Sequence, residues 1–383
     1  MLLALLFARP ALAEDESSLS FHGFGTLGAV QTSSSDAEFV RDLSQPRGAK
    51  ESPEARVDSL LGVQANWRLT PDLEAVVQAV SRYRYDKSFN PEISWAYLKY
   101  DPTPQVSLRA GRLGTEFFMT ADSRLVGYSY LTVRPPGDFF WYLPFYSING
   151  VDAALTVPVG EDVLRGKLYY GLSDDKIPYG EKQWNIDGSA MVGGYLEYHV
   201  GGWLLRGSYA NIRFNHDMPI DDLLAQYLPP PLVGPSKAYL AADNTRSHYY
   251  SLGAIYDNGP WQLQIMLNKI TQGSKIFQSS SAGYVLAGYR IGEVTPYLGF
   301  SWIRSETRNN PLNPFVSVVM AKSHADQNTG ILGARWDVAR NIALKAQWDA
   351  IRGEPGSTFP YRAETSKWSG KMDVFSLTMD FVF

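Results

Sequence analysis

The C-terminal stretch Lys371-Met-Asp-Val-Phe-Ser-Leu-Thr-Met-Asp-Phe-Val-Phe383 decides how the rest of the chain is read. Phe375, Leu377, Met379, Phe381 and Phe383 recur at every second position, and Ser376, Thr378 and Asp380 fall between them. Successive side chains of a strand point to opposite faces, so this segment is a strand with one greasy and one polar face. Ending on an aromatic is unusual, because exposed termini are ordinarily polar and frayed. Soluble sheets and membrane barrels both alternate in this way. What separates them is whether the pattern repeats and which face turns outward.

The pattern repeats. From Leu19 onward about sixteen amphipathic runs follow one another, at 19–31, 55–69, 72–86, 92–101, 105–112, 149–158, 163–173, 190–200, 203–214, 246–257, 260–271, 280–291, 293–304, 328–338, 341–352 and 370–383. In 72–85, Leu73, Ala75, Val77, Ala79 and Tyr83 oppose Glu74, Gln78, Arg82 and Arg84. In 261–268, Trp261, Leu263, Ile265 and Leu267 oppose Gln262, Gln264 and Asn268. Short turn-forming connections at 70–72, 101–104, 159–162, 201–202, 257–260, 291–293 and 338–341 take turns with long ones, apart from two briefer ones near 86–91 and 271–279. The longest fall near 33–54, 113–148, 174–188, 214–245, 305–326 and 353–369. A soluble sandwich has no reason to sort its loops so; a transmembrane barrel does, with tight turns at one rim and long loops at the other. An even strand count also lets the first and last strands pair, which removes the open edge that lipid does not tolerate. Trp67, Trp203, Trp261, Trp336 and Trp348 lie near strand ends, as an interfacial girdle requires.

Composition narrows the classes. The 383 residues carry a net charge of -4, no cysteine, 10 Trp, 23 Tyr and 18 Phe. Mean hydropathy is only -0.20, and no run approaches the ~18–20 apolar residues of a membrane helix. Without cysteine there are no disulfides and no thiolate metal sites. No basic run points to nucleic acid as a partner. None of His22, His199, His216, His248 and His324 sits in a metal-ligand spacing, and no G-x-S-x-G nucleophile occurs. The expectation is therefore no enzyme, no metal and no cofactor. Residues 1–13, a short apolar core ending in Ala11-Leu12-Ala13, are expected to be a signal peptide lacking its basic n-region. Residues 14–383 are read as one domain.

The charges fix the sign of the pattern. Arg82, Arg84, Lys99, Arg109, Arg165, Lys167, Arg206 and Lys345, with Glu197 and Asp349, stand on the polar faces. An Arg or Lys facing the lipid midplane costs ~2–4 kcal/mol. These side chains belong to a wet interior, which sixteen strands leave open and about eight would fill. In strand number, loop alternation and terminal Phe383, residues 14–383 resemble the trimeric sixteen-stranded porins of the Gram-negative outer membrane. The resemblance implies an all-β, transmembrane antiparallel β-barrel whose third long loop, here 113–148, folds inward. It further implies a homotrimer set in outer-membrane lipid and lipopolysaccharide, passing small hydrophilic solutes and ions by passive diffusion.

Loop 113–148 offers Glu116, Asp122 and Asp138 beside Phe117, Phe118, Phe139, Phe140, Trp141 and Tyr142. A basic wall of Arg82, Arg84, Lys99, Arg109 and Arg112 is expected to face those acids, setting a transverse field that favours polar solutes. In place of the acidic Pro-Glu-Phe-Gly-Gly type of the general porins the loop has Arg134-Pro-Pro-Gly-Asp138. The lumen faces assigned from the pattern add Arg290 and Arg335 to the bases. Their acids are Glu74, Asp152, Glu197, Asp349, Asp373 and Asp380. That excess of bases predicts a mild anion preference. Tyr97, Tyr169, Tyr195, Tyr249 and Tyr284 leave open a substrate-specific channel for a sugar, phosphate or carboxylate. In 214–245 a short helix at 221–228, ended by Pro229–Pro231, is expected in an external loop that packs over the mouth or against a neighbouring subunit, with a substrate lid as the alternative.

Overall fold

The computed structural model describes residues 18–140, 143, 145–179, 182–306, 316, 317, 320, 324–355 and 361–383. The expected signal segment 1–13, Trp141 and Tyr142 lie outside these residues. Each amphipathic run holds a strand: β1 Leu19–Thr32, β2 Leu60–Thr70, β3 Leu73–Arg82, β4 Glu92–Thr103, β5 Val106–Gly114, β6 Ser147–Val159, β7 Asp162–Leu172 and β8 Ala190–Val200. The second half continues with β9 Trp203–Arg213, β10 Arg246–Asn258, β11 Trp261–Gln272, β12 Ser280–Tyr289, β13 Val294–Ser305, β14 Asp326–Ala339, β15 Ile342–Gly353 and β16 Lys371–Val382. Neighbours in sequence are neighbours in the sheet, and β16 returns to β1, closing the barrel. The second run begins late, at Leu60, because Ser59 N–H bonds Ala55 C=O in a turn that precedes it.

Short turns gather at one rim. Gly201 and Gly259 take φ of +56° and +59° there, the left-handed backbone that tight hairpins require. Trp203 packs on Tyr256 and Trp261 on Tyr289 at ring separations of 4.9 and 4.8 Å, and with Trp67 and Trp336 they form the exposed girdle. Trp348 does not belong to it: it lies midway along β15 and donates its indole N–H to Asp373 at 3.3 Å.

The orientation follows from β16. Phe375 and Leu377 are 52% and 63% exposed, whereas Ser376, Thr378 and Asp380 between them are 2%, 4% and 0% exposed. Leu168, Leu196, Leu252 and Leu298 continue the outward apolar band on other strands. A closed barrel with this band outside and its polar face inside is built to span a bilayer. Two lumen assignments are corrected by the same parity. Asp373 shares the outward row of Phe375 and pairs with Arg352 at 3.0 Å. Arg290 lies past the end of β12, at the turn rim, bound to Gly259 C=O and Asp257.

Three long connections turn back over the interior. Residues 214–245 form not one helix but two, Asp221–Tyr227 and Pro230–Tyr239; a proline in the first helical turn starts the second, since its missing N–H has no partner to lose there. Ile220, Leu224, Leu228 and Leu240 are buried in one cluster with Phe117 and Phe118. Segment 33–59 sends Val40 against Ala282 and Ile303 on the far wall. Segment 115–146 goes deepest.

Candidate functional site

Segment 115–146 is tied to the inner faces of β11 and β13–β16 by specific bonds. Lys345 on β15 is buried, donates to Gly127 C=O (2.8 Å) and Thr132 C=O (3.0 Å), and pairs with Asp380 at 3.0 Å. Val133 N–H donates to Gln347 Oε1 at 2.9 Å. Arg134 reaches Asp349 (2.9 Å) and Ser376 Oγ (2.5 Å). Asp138 accepts from Ser301 Oγ (2.6 Å) and Gln327 Nε2 (2.7 Å), and Asn268 donates to Phe139 C=O at 3.1 Å. All these strand partners point away from the apolar band, so the segment lies on the lumen side of the wall. Its rings complete the packing: Phe117 meets Tyr169 and Tyr249, and Phe139 meets Tyr284.

The start of the same segment meets the wall of β5–β9. Glu116 receives Arg109 Nη2 at 3.0 Å and Lys167 Nζ at 2.6 Å, and Arg109 Nε also holds Asp152 at 2.9 Å. One register row runs Arg165, Glu197, Arg206 across β7, β8 and β9; the next runs Lys167, Tyr195, Ser208. Arg206 donates to Glu197 at 2.6 Å and lies 4.0 Å over the Tyr195 ring, and His199 joins Glu197 at 2.8 Å. Asp122 is buried within electrostatic reach of Arg206 and Lys167. Acids of the inward loop therefore do face wall bases here. The site also keeps groups in reserve: Arg165 Nε, Arg206 Nη1, Tyr169 Oη, Tyr195 Oη and Ser208 Oγ are buried with no hydrogen-bond partner. Buried polar groups are normally satisfied, and an unmet one costs about 1–3 kcal/mol. Five such groups stand on three adjacent strands, enclosed between the wall and the inward segment.

Of the expected residues, the fold gathers Arg109, Glu116, Asp122, Arg165, Lys167 and Arg206 at this place. Lys99 is the cross-strand neighbour of Arg109, although its ammonium pairs with Asp101, 2.7 Å away. The fold sets the other expected bases apart. Arg82 and Arg84 sit at the loop rim, both paired with Glu92. Arg112 falls in the row Ala96–Arg112–Asn149–Leu172, one step out of phase with Arg109, and pairs with Asp174. Lys99 and Arg109 thus stand side by side on one wall, while Arg82, Arg84 and Arg112 group together toward the loop rim. Asp138 and Lys345 anchor the loop to the opposite wall.

Several residues escape the pattern. Arg41 pairs with Asp58 at 3.2 Å and donates to Arg124 C=O at 2.9 Å, joining segment 33–59 to segment 115–146. Tyr146 lies between the Arg82 and Arg124 guanidiniums, 4.0 and 4.3 Å from its ring, and donates its hydroxyl to Asp42. Their only sequence signal is charge inside loops otherwise rich in aromatic and small residues.

No family model matches the chain, and no curated protein sequence matches it. Solved structures do. An anion-selective porin from Comamonas acidovorans superposes with a TM-score of 0.59 at 14% identity, over 96% of this chain and 100% of that one. OmpF of Salmonella typhi, solved in complex with daunomycin, gives 0.58 at 14% identity over 95% and 97%. The outer-membrane channel DcaP of Acinetobacter baumannii gives 0.56 at 10% identity over 95% and 97%. The chain has the sixteen-stranded fold of the Gram-negative outer-membrane porins.

Proposed function

We propose that the chain is an outer-membrane porin of a Gram-negative bacterium, a water-filled channel for passive diffusion of small hydrophilic solutes and ions. The observation that carries this reading is a closed sixteen-stranded barrel whose apolar band faces outward and whose charged side chains Arg109, Lys167, Glu197 and Arg206 face inward. Lumen charges that would each cost energy in a dry core are useful against a water column. A mild anion preference follows from what is unspent: Arg165 Nε and Arg206 Nη1 are donors, and the tyrosine and serine hydroxyls offer O–H groups beside them. Closed symmetry favours a homotrimer bedded in lipid and lipopolysaccharide. The role is transport and not catalysis.

A second reading is a substrate-specific channel. Tyr169 and Tyr195, with free hydroxyls on neighbouring strands, favour a sugar, phosphate or carboxylate that accepts their hydrogen bonds.

Planar-bilayer recording across a KCl gradient tests both. Stepwise conductance in three levels with a reversal potential on the anion side supports the first reading. Saturable block by one solute class favours the second. Absence of conductance from folded protein would overturn both.

A further inference from the structure

At the rim of the long loops His324, Asp326 and Glu354 converge, each offering one ligand atom, and these atoms all lie within 4.8 Å of one another. The barrel backbone sets two of them side by side. Asp326 opens β14, Glu354 follows the last residue of β15, and the Glu354 N–H donates to Asp326 C=O at 3.1 Å. The sequence spacing of His324 and Asp326 carries no metal signature, because the third donor arrives from the neighbouring strand. Glu354 is exposed and the other two are half-buried, so an ion can reach all three from water.

His324 is oriented from outside the cluster. Gln278, buried just before β12, donates its amide nitrogen to Met320 C=O at 3.3 Å, so its Oε1 is an acceptor. His324 Nδ1 stands 3.0 Å from that oxygen and is therefore the N–H donor. In the neutral ring Nε2 then presents a lone pair, and it faces Glu354 Oε2 at 3.4 Å. Two acceptors so placed need a proton or a cation between them. A proton on Nε2 joins His324 to Glu354 alone, whereas a metal ion also uses Asp326. Zinc holds imidazole nitrogen and carboxylate oxygen at ~2.0–2.2 Å, which sets neighbouring ligands ~3–4 Å apart. The imidazole and Glu354 meet that spacing as they stand. Arg304 Nη1 holds Asp326 Oδ1 at 2.9 Å and steadies that carboxylate. Within the described cluster one guanidinium stands against two carboxylates, which leaves it net negative.

We propose that His324, Asp326 and Glu354 bind one divalent transition-metal cation at the loop rim, zinc being an ion that suits one imidazole and two carboxylates. Calcium and magnesium prefer all-oxygen sites and gain nothing from the imidazole. Binding here does not depend on conduction.

Calorimetric titration of tag-free protein in detergent micelles, dialysed first against a chelator, tests the assignment with zinc chloride and, for comparison, calcium chloride. Zinc is expected to bind saturably at one tight ion per chain, about tenfold or more tighter than calcium. His324→Gln and Glu354→Gln should each weaken zinc about tenfold or more, while His216→Gln, in another loop, should leave it unchanged. Each variant is scored only if unheated protein migrates as the folded barrel on a gel; Asp326→Asn replaces His324→Gln if that variant does not. Three results would each overturn the proposal: no saturable heat from zinc, zinc affinity retained in either ligand variant, or calcium bound as tightly as zinc. The first two would leave His324 and Glu354 as a protonated ion pair. Bilayer conductance of the same preparation reports on the channel reading independently.

Discussion

Arg134 and Asp58 meet in a two-pronged ion pair, Nη2 to Oδ2 at 2.7 Å and Nε to Oδ1 at 3.1 Å, with the Asp58 side chain fully enclosed. This pair joins two loops that start at different strands, 33–59 and 115–146. Breaking a buried pair by removing one partner costs about 3–5 kcal/mol, because the remaining charge is stranded. Arg134→Met strands both Asp58 and Asp349. It is expected to lower the temperature at which the folded band is lost on a gel. It also frees one anchor of the inward segment, so single-channel conductance should rise and become noisier. Unchanged melting and conductance would mean that Lys345 and Asp138 suffice to hold the loop.

That relationship also marks where sequence reading stops. The strands are legible because alternation at period two is a local property, and Leu377 beside Thr378 states it within two residues. The rims are legible because Gly201-Gly202 and Asp257-Asn-Gly-Pro260 are turn chemistry. The partners of Arg134 lie 76 and 215 residues away, and no local pattern encodes them. For the same reason a shared basic character groups Arg82 and Arg112 with Arg109 in the sequence, although the fold separates them. Their height and phase depend on strand stagger and on the backbone at Gly111, where φ is +133°. Asp138 reads as a free acid because its hydrogen-bond partners, Ser301 and Gln327, stand on distant strands.

The wall cluster makes an electrical prediction. Arg206 has one terminal nitrogen unspent and faces the loop acids. A unit charge about 6 Å from an ion in water acts with roughly 0.7 kcal/mol, about a threefold change in the local ion ratio. Arg206→Gln should move the reversal potential toward cations by that order. Lys99 is already paired with Asp101, so Lys99→Gln should move it much less. Equal changes from both would remove Arg206 from the narrow part of the path.

A pH dependence follows from Asp175 in segment 173–189. Burial, then the neighbouring Asp174 charge, pushes its carboxyl up to about 7 from an ordinary value of 3.8, against the opposing pull of Arg112. A group that binds its proton more tightly when folded stabilises the fold at low pH and loses that contribution as pH rises through the folded value. The window therefore runs from about 4 to about 7, and within it stability should fall by up to about 1.4 kcal/mol for each step of one in pH. Thermal unfolding followed at pH 5 and pH 8 checks the sign. The wild-type protein should melt lower at pH 8, and Asp175→Asn should flatten the difference. A steeper pH dependence in that variant would show that another group titrates in the window.

The outward apolar band is testable at a single position. Leu377 is central in β16, is 63% exposed, and sits between inward Ser376 and Thr378. On a soluble protein such a leucine could become arginine at almost no cost, since surface changes usually stay within about 0.5 kcal/mol. On a barrel in a bilayer the same change places a cation near the hydrocarbon midplane, at ~2–4 kcal/mol. Leu377→Arg should therefore lower folding yield and stability in lipid vesicles, while Leu377→Phe, larger but still apolar on a face open to lipid, should be nearly neutral. The contrast must shrink at the rim, where Lys371 of the same strand already exposes a charge. If Leu377→Arg folds into vesicles as efficiently as Leu377→Phe, this row does not meet lipid. The assignment of inner and outer faces, on which the channel reading depends, would then fail.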